Sequence, residues 1–263
     1  MSEPVLLRED RGDGVVRLVL NRPRAYNSLS RELLERLEAA LHELEAEPKA
    51  RVIVLTGAGG RAFSSGHDLK EMGADRTYEG LRSLFELCSR VMVAVTRIGL
   101  PVIARVEGIA TAAGCQLVAA CDLAVASEDA RFATSGIKYG LFCSTPMVAL
   151  SRNVPRKAAM EMLMTGDFVD AATALRLGLV NRVVPRAELD RAVDELCARL
   201  LDKPREVLAL GKKAFYRQLE MPLEDAYAFT TEVIVQNALG RAFEEGLRAF
   251  LEKRPPRWPE AAE

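Results

Sequence analysis

Two short segments combine small residues, a turn and the start of a helix. One is 63–70, Phe-Ser-Ser-Gly-His-Asp-Leu-Lys, and the other is 108–116, Gly-Ile-Ala-Thr-Ala-Ala-Gly-Cys-Gln. Small residues let a ligand approach the backbone closely, and the free amides at the start of a helix carry partial positive charge. Either segment can therefore bind an oxyanion, although glycine-rich turns before helices are also common structural features.

Nucleophilic side chains occur in the same two segments. Ser65, His67 and Asp68 have the residue types of a serine hydrolase triad, and Cys115 is a potential nucleophile. Triads are assembled from separated segments, and three neighbours on one loop seldom converge. A small thiol among apolar residues is more often packed in the core than reactive. The sequence therefore does not favour nucleophilic catalysis by these groups.

The elements around these segments alternate between strands and helices. Apolar runs predict strands at 5–7, 15–20, 51–56, 101–106 and 121–126. Leucines at helical spacing predict a helix capped by Ser30, and a second amphipathic helix spans 78–98. From Pro146 onward the pattern predicts helices almost throughout. We therefore expect an α/β part, residues 1–200, and a helical C-terminal part, residues 201–263.

Composition and charge exclude several classes of protein. Apolar residues make up 49% and charged residues 28%, which is typical of a globular protein. The net charge is −1, so no global field attracts nucleic acid. The longest uncharged stretch, 108–121, is shorter than the ~18 residues that span a membrane. The charged amino terminus predicts a cytoplasmic protein, and five cysteines without a C-x-x-C pair predict buried free thiols.

The amino-acid sequences of these segments, and their order along the chain, resemble those of the crotonase family, also called the enoyl-CoA hydratase/isomerase family. The likeness begins at 21–29, Asn-Arg-Pro-Arg-Ala-Tyr-Asn-Ser-Leu, and includes the two segments above. It continues through 121–126, 164–167, 178–181 and 250–254, in the right order. The resemblance implies the α/β ClpP/crotonase fold of repeated ββα units, a helical C-terminal trimerisation region, and a homotrimer or dimer of trimers.

The resemblance also implies a substrate and its binding residues. The substrate is an acyl-CoA or enoyl-CoA in a bent shape, with no further cofactor and no metal. The family stabilises a thioester enolate with two backbone N–H groups, here those of His67 and Ala113. Family members commonly have glycine at the position of Ala113, which alanine can replace if its φ is negative. The residues implied to meet coenzyme A are Arg24, Ala25, Ser65, Asp68, Leu69 and Lys70, with Phe250 and Lys253 from a neighbouring subunit.

The chain departs from the family's hydratases at both catalytic acids. Those enzymes use two glutamates, where this chain has Gln116 and Gly136. Neither residue exchanges a proton near neutral pH, and one general acid or base contributes roughly 10²–10⁴ in rate. We therefore expect an enoyl-CoA hydratase/isomerase-type enzyme by lineage, with weak or altered hydration. A carboxylate from another segment, Glu71, Asp75 or Glu86, is the alternative acid.

Residues 140–146, Gly-Leu-Phe-Cys-Ser-Thr-Pro, replace a glycine-rich loop of the hydratases. Either Cys143, Ser144 or Thr145 acts as a nucleophile or holds water, or the three repack a vacated space, which we favour. The acyl pocket is expected to be lined by the 78–98 helix and the loop after Gly136.

Two other functions stay open: a non-catalytic acyl-CoA-binding protein or partner subunit, and an RNA-binding relative. The latter needs a row of lysines, whereas the first helix is rich in glutamate.

Overall fold

The chain forms two β-sheets, which a computed structural model describes over residues 3–259. The strands are β1 (Leu6–Asp10), β2 (Val15–Leu20), β3 (Val52–Gly57), β4 (Ala62–Ser64), β5 (Val102–Val106), β6 (Ile109–Thr111), β7 (Leu123–Ser127), β8 (Arg131–Ala133), β9 (Val169–Asp170) and β10 (Arg182–Val184). The larger sheet has the order β1-β2-β3-β5-β7-β10, and the smaller has the order β4-β6-β8-β9.

Eleven α-helices are found within the described residues. They are α1 (Arg31–Ala46), α2 (Leu69–Ala74), α3 (Tyr78–Arg97), α4 (Ala113–Ala120), α5 (Pro146–Asn153), α6 (Arg156–Thr165), α7 (Ala171–Arg176), α8 (Leu189–Leu201), α9 (Arg205–Gln218), α10 (Leu223–Ala238) and α11 (Arg241–Leu251). The predicted cap of α1 is confirmed, because the Ser30 side chain accepts a hydrogen bond from the Leu33 amide at 3.3 Å. No helix of this described part is long and apolar enough to cross a membrane.

A strand-strand-helix unit repeats through the centre of the fold. Each unit places its first strand in the larger sheet and its second in the smaller: β3 with β4, β5 with β6, and β7 with β8. The first strands pair in parallel with one another, and so do the second strands. Helices α3, α4 and α5 follow the three units. The predicted architecture of repeated ββα units is confirmed.

The larger sheet is apolar on both faces. Ile53 and Leu55 of β3 face the main core, which α1, α3 and α4 also fill. Val52 and Val54 point the other way, into a second cluster with Val193 and neighbouring residues of α8. Because successive side chains of a strand point to opposite faces of the sheet, β3 packs against helices on both faces. All five cysteines are buried and unpaired in this part of the chain, as the sequence predicts.

The expectation of helices almost throughout after Pro146 is wrong at two places. Residues Val169–Asp170 form β9, which pairs with β8, and Arg182–Val184 form β10, which pairs with β7. Both strands are too short to show a period, and only pairing with the sheets defines them. The predicted boundary, between residues 200 and 201, falls in the last turn of α8 and stays a prediction. Residues 1–2 and 260–263, the outer ends of the two predicted parts, lie outside the described residues.

A buried ion pair fastens α9 to the larger sheet. The Lys212 ammonium donates to the Asp122 carboxylate at 2.6 Å and to two main-chain carbonyls at 2.9 Å. Asp122 also accepts from the Val102 amide at 2.7 Å and from the Tyr216 hydroxyl at 3.0 Å. The sequence prediction that Asp122 is a structural hydrogen-bond acceptor is confirmed.

Candidate active site

The carboxyl ends of β4, β6 and β8 open onto one cavity of about 290 Å³. These strands are parallel neighbours, so the loops that follow them meet at one edge of the smaller sheet. Helices α2 and α3 and the segment 139–146 complete the wall. The lining residues are Ser65, His67, Leu69, Met72, Phe85, Ala112, Ala113, Ser135, Gly136, Tyr139, Leu141, Phe142, Cys143, Ser144, Thr145 and Pro146.

The loops after β4 and β6 are in direct contact. A Cβ on Gly66, which has φ +88°, would lie 3.0 Å from the Ala113 nitrogen and 2.9 Å from the Ala112 Cβ. Leu29 donates its amide to the Gly66 carbonyl, and its own carbonyl accepts from Asp68. These two bonds flank His67, so its N–H is directed away from Leu29. Within residues 3–259, neither the His67 amide nor the Ala113 amide donates a hydrogen bond.

Strain in this loop falls on Ala112. Its φ is +51° and its ψ is −121°, a combination that favours glycine. Ala113 is not among the residues with positive φ, so alanine can take the place of the glycine that family members commonly have at this position. Ala112 is held on both sides, because its amide donates to the Ala133 carbonyl and its carbonyl accepts from the Gln116 amide, each at 3.0 Å.

The two positions that lack a carboxylate differ in their surroundings. Gln116 lies on α4 one turn after Ala113 and is only 4% exposed. Its Oε1 is buried without a hydrogen-bond partner, and the residue is not part of the cavity lining. Gly136 does line the cavity, but a Cβ there would lie 2.5 Å from the Leu141 carbonyl oxygen and 2.8 Å from the Cys143 sulfur. The segment 141–143 therefore occupies the space of a side chain at 136.

No aspartate or glutamate lines this cavity in the described part of the chain. Glu71 instead accepts from the Arg31 amide at 2.9 Å, and Asp75 accepts from the Thr77 hydroxyl at 2.7 Å. Glu86 pairs with an arginine one turn earlier on α3. The structure therefore does not place any of the three alternative carboxylates at the cavity.

The His67 imidazole lies in the cavity wall and not in solvent. Its edge contacts the Phe85 ring, with centroids 5.1 Å apart and planes at 89°. Both ring nitrogens are buried and neither is hydrogen-bonded to Ser65 or Asp68, so the three side chains form no triad. Burial lowers the pKa of His67 to about 4, and the ring is neutral at pH 7.

The two cysteines near the cavity are protonated thiols. Cys143 lines the wall, and burial raises the pKa of its thiol. Cys115 is fully buried on α4, and burial raises its pKa to about 12. Since the thiolate is the nucleophilic form, neither side chain has the electrostatics of a reactive cysteine. Ser144 and Thr145 lie in the same wall, and the Ser144 hydroxyl donates to the Phe142 carbonyl at 3.4 Å.

Two of the segments assigned to coenzyme A lie against each other. The Ser65 amide donates to the Tyr26 carbonyl at 3.0 Å, which joins the loop after β4 to the 3₁₀ turn Pro23–Ala25. The Arg22 guanidinium donates to the Asp68 carboxylate at 2.8 Å, and Asp68 also caps α2. Of the predicted residues, Ser65 and Leu69 line the cavity, and the others lie in these two adjoining segments: Arg24, Ala25, Asp68 and Lys70.

The remaining two predicted residues lie elsewhere. Phe250 is in α11 and is 79% exposed, and Lys253 follows that helix with φ +53°. Neither lines the cavity of its own chain. The sequence also did not single out Met72 or Phe85, which form part of the wall. Phe85 lies at the same helical spacing as the core residues of α3. The sequence therefore carries no signal that distinguishes a cavity-lining residue from a core residue on this helix.

Repeated ββα units around a cavity at the ends of parallel strands define an α/β protein of the crotonase fold. The chain belongs to the enoyl-CoA hydratase/isomerase family, whose model matches residues 10–261. It is similar to enoyl-CoA hydratase domain-containing protein 3, mitochondrial, of Xenopus laevis, with 46% identity over 93% of this chain and 83% of the relative. The amino-acid sequences of segments 64–70, 110–119 and 140–146 predict the branch of enoyl-CoA hydratase domain-containing protein 3, and the comparison confirms this prediction.

Solved structures agree with this assignment. The crystal structure of human enoyl coenzyme A hydratase domain-containing protein 3 is 43% identical, with a TM-score of 0.93 over 97% of this chain and 100% of the other. That of an enoyl-CoA hydratase from Mycobacterium smegmatis is 54% identical, with a TM-score of 0.95 over 97% and 99%. The relatives from Xenopus laevis, Rattus norvegicus and Homo sapiens are named as mitochondrial. The expectation of a cytoplasmic protein, which rested on the charged amino terminus alone, is therefore wrong.

Proposed function

We propose that the chain binds an acyl-CoA or enoyl-CoA in this cavity and polarises the thioester carbonyl through the amides of His67 and Ala113. One observation carries the proposal: two amides that donate no hydrogen bond within residues 3–259 sit on adjoining loops at the wall of one cavity. A buried amide normally has a partner, so two unpaired amides at one wall favour an acceptor supplied by the ligand.

The physical effect of such a pair is to stabilise negative charge on the carbonyl oxygen. The Ala113 amide opens α4, so the partial positive charge at that end of the helix adds to its own dipole. Loss of one oxyanion donor costs roughly 2.7–4 kcal/mol of transition-state stabilisation in a measured case. Two donors on the oxygen stabilise the enolate that forms when a base removes a proton from the α-carbon, or when a nucleophile adds to the β-carbon of an enoyl thioester.

The same cavity offers little for proton transfer by a carboxylate. Gln116 and Gly136 have no side-chain group that gains or loses a proton near neutral pH, and the lining formed by the described residues has no aspartate or glutamate. We therefore propose an enoyl-CoA hydratase/isomerase-type enzyme in which hydration is weak or altered. The alternative is a non-catalytic acyl-CoA-binding protein or partner subunit on the same scaffold, which needs the binding site but no chemistry.

We also propose a homotrimer or a dimer of trimers. The C-terminal helices α9 to α11 expose large apolar side chains, which are Phe215, Leu223, Tyr227, Ile234, Val235, Phe243, Leu247, Phe250 and Leu251. Large apolar side chains exposed in this number are typical of an interface between subunits. In such an assembly Phe250 and Lys253 approach the coenzyme A bound to a neighbouring subunit. Light scattering that gives a monomer mass at micromolar concentration would contradict this proposal.

Isotope-edited infrared spectroscopy of bound butyryl-CoA, labelled with ¹³C at the carbonyl, tests the carbonyl site. We expect the carbonyl stretch to move to lower frequency on binding. Ala113→Pro removes one N–H at the first position of a helix, where proline is tolerated, and should reduce this shift. Tyr78→Pro, the same change at the first position of α3, is the control and should leave it unchanged. Binding without any shift in the native protein would refute the proposal.

Turnover assays separate the two functional candidates. Crotonyl-CoA and a panel of other acyl-CoAs are incubated with the protein, and products are identified by mass spectrometry. A product from any thioester in the panel supports an enzyme, whereas binding without product supports the non-catalytic alternative. Rapid hydration of crotonyl-CoA that Gln116→Ala leaves unchanged would contradict our account of the proton-transfer groups.

A further inference from the structure

Glu245 is a buried carboxylate on α11, near the carboxyl-terminal end of the fold. It is 6% exposed, and within residues 3–259 no other charged residue is buried as deeply. Its oxygens accept from the Arg254 guanidinium at 2.6 and 3.1 Å, and from the Arg248 guanidinium at 2.7 Å. The Arg257 amide donates to it at 2.7 Å. Hydrogen bonds with a charged partner are the strong ones, so Glu245 holds the segment 252–258 against α11.

The same segment also joins α11 to α8. The Trp258 indole donates to the carbonyl of Asp202, which ends α8, at 2.7 Å. The indole ring packs over Gly246, where a Cβ would lie 3.5 Å from the ring. Helix α11 itself buries few side chains, which are those of Ala242, Glu245 and Ala249. Because two alanines contribute little apolar area, the position of this end of α11 depends on the polar contacts of Glu245.

Lys253 lies at the sharp turn between α11 and this segment. Its φ is +53°, and the Arg254 amide donates to the Ala249 carbonyl at 3.0 Å, a helix ending at which glycine is usual. Strain at a residue other than glycine points to a role for its side chain. The ion pairs around the turn join Glu245 and Glu252 to arginines and leave the exposed Lys253 ammonium without a partner in the described chain.

We propose that Glu245 is a positioning residue for coenzyme A: by holding Arg254, it directs the Lys253 ammonium toward the coenzyme A that a neighbouring subunit binds. This inference rests on the proposed acyl-CoA function and on the proposed homotrimer. Coenzyme A carries phosphate groups, which an ammonium binds as a point charge. Without the Glu245–Arg254 pair, residue 253 relaxes from its left-handed conformation and the ammonium moves away. Phe250, 79% exposed in the last turn of α11, belongs to the same end of the helix.

Calorimetry with butyryl-CoA and butyryl-pantetheine, which has the same thioester but no nucleotide, tests the inference. We expect Glu245→Ala and Lys253→Gly each to bind butyryl-CoA about tenfold more weakly than the native protein, the effect of one lost hydrogen bond to a charged group. Binding of butyryl-pantetheine should not change. The double variant should be no weaker than Lys253→Gly alone, since Glu245 acts through that lysine. Glu244→Ala, at the exposed neighbouring carboxylate on α11, is the control and should bind both ligands as the native protein does.

Urea unfolding separates this role from a purely structural one. Lys253→Gly should raise the free energy of unfolding, because glycine relieves the strained turn, while it weakens the binding of butyryl-CoA. A residue that serves only to end the helix would not lose affinity when the turn becomes more stable. Equal weakening of butyryl-CoA and butyryl-pantetheine in Glu245→Ala would indicate a general disturbance of the site and would refute the inference.

The outcomes distinguish this inference from the proposals on which it rests. If the native protein does not bind butyryl-CoA, the proposed function fails, and if light scattering gives a monomer, the homotrimer fails. If the native homotrimer binds butyryl-CoA but Glu245→Ala binds it as tightly, or the double variant is a hundredfold weaker, only the positioning role fails. Circular dichroism and light scattering check each variant. Should Glu245→Ala not fold or assemble, Arg254→Met, which removes the other half of the pair, replaces it with the same expected and refuting results.

Discussion

The sulfur of Cys143 occupies the space into which a side chain on Gly136 would project, with 2.8 Å between that sulfur and an ideal Cβ on Gly136. The Leu141 carbonyl oxygen lies at 2.5 Å from the same point, and the Leu141 amide is hydrogen-bonded to the Gly136 carbonyl at 3.0 Å. Contacts of this length exclude even a methyl group unless the backbone moves. The absence of an acid at position 136 is therefore part of the packing of segment 141–143 and not an isolated change.

Gly136→Ala should destabilise the protein by about 1–3 kcal/mol, the usual cost of overpacking. The measurement is the free energy of unfolding from urea titration. Gly73→Ala is the matched control, since a Cβ at that helical position meets nothing within 4 Å. Alanine there should raise stability by about 0.5–1 kcal/mol. Equal changes in the free energy of unfolding for the two substitutions would show that segment 141–143 moves easily to make room for a side chain at position 136.

Restoring both glutamates should not restore a hydratase. Gln116→Glu replaces a buried side chain with one of nearly equal size, but position 116 does not line the cavity, so we expect crotonyl-CoA hydration to rise by about tenfold at most. Adding Gly136→Glu should give no further increase, because the new side chain cannot enter the cavity while segment 141–143 is in place. The loss of enoyl absorbance measures both rates. A further hundredfold gain in the double variant would contradict the packing argument.

Ala112→Gly should make the protein more stable by about 1 kcal/mol. Alanine at φ +51° and ψ −121° is strained by roughly 1–3 kcal/mol, and the greater entropy of glycine in the unfolded chain offsets part of the gain. Thermal and urea unfolding measure the difference. Ala120→Gly, at the other end of α4, is the control and should destabilise, since it has no strain to release. A loss of stability in Ala112→Gly would show that its methyl group packs more favourably than the strain costs.

The sequence predicts the loops of the site better than it predicts their surroundings. The glycine-rich turns at Gly66 and Gly114 and the cap at Ser30 are local signals, so the alternation of strands and helices and the two cavity loops follow from them, whereas the repeated ββα units are implied by the family resemblance. The burial of the His67 nitrogens depends on Phe85, 18 residues away along the chain, and the exclusion at Gly136 depends on how segment 141–143 folds back. Neither has a local signature. Strand β10 is likewise defined by its pairing with β7 and not by a periodic pattern.

Breaking the Lys212–Asp122 pair should be among the costliest single changes. Lys212→Met leaves the Asp122 carboxylate buried without its cation, which costs roughly 3–5 kcal/mol of unfolding free energy. Asp122→Asn combined with Lys212→Met removes the unpaired charge and should recover part of that loss. A double-mutant cycle on urea unfolding gives the coupling. The exposed pair Arg82–Glu86 is the control, for which truncation should leave the free energy of unfolding almost unchanged.

Acid should destabilise the protein partly through His67. Burial lowers the pKa of this residue to about 4, whereas the unfolded chain takes up the proton near its ordinary value of 6.5. Between these two pH values the unfolded state binds more protons, so stability falls as the pH falls. A group with this shift loses about 2 kcal/mol between pH 7 and pH 5 and about 1 kcal/mol more down to the folded pKa.

Urea unfolding of the native protein and of His67→Phe at pH 7 and pH 5 isolates this contribution, because the other titrating groups are common to both. We expect the variant to lose about 2 kcal/mol less than the native protein on acidification. His42→Phe, which removes an exposed imidazole, should lose as much as the native protein does. Equal losses in the native protein and His67→Phe would mean that the folded chain accepts a proton on His67 as readily as the unfolded chain, which is incompatible with nitrogens enclosed in the cavity wall.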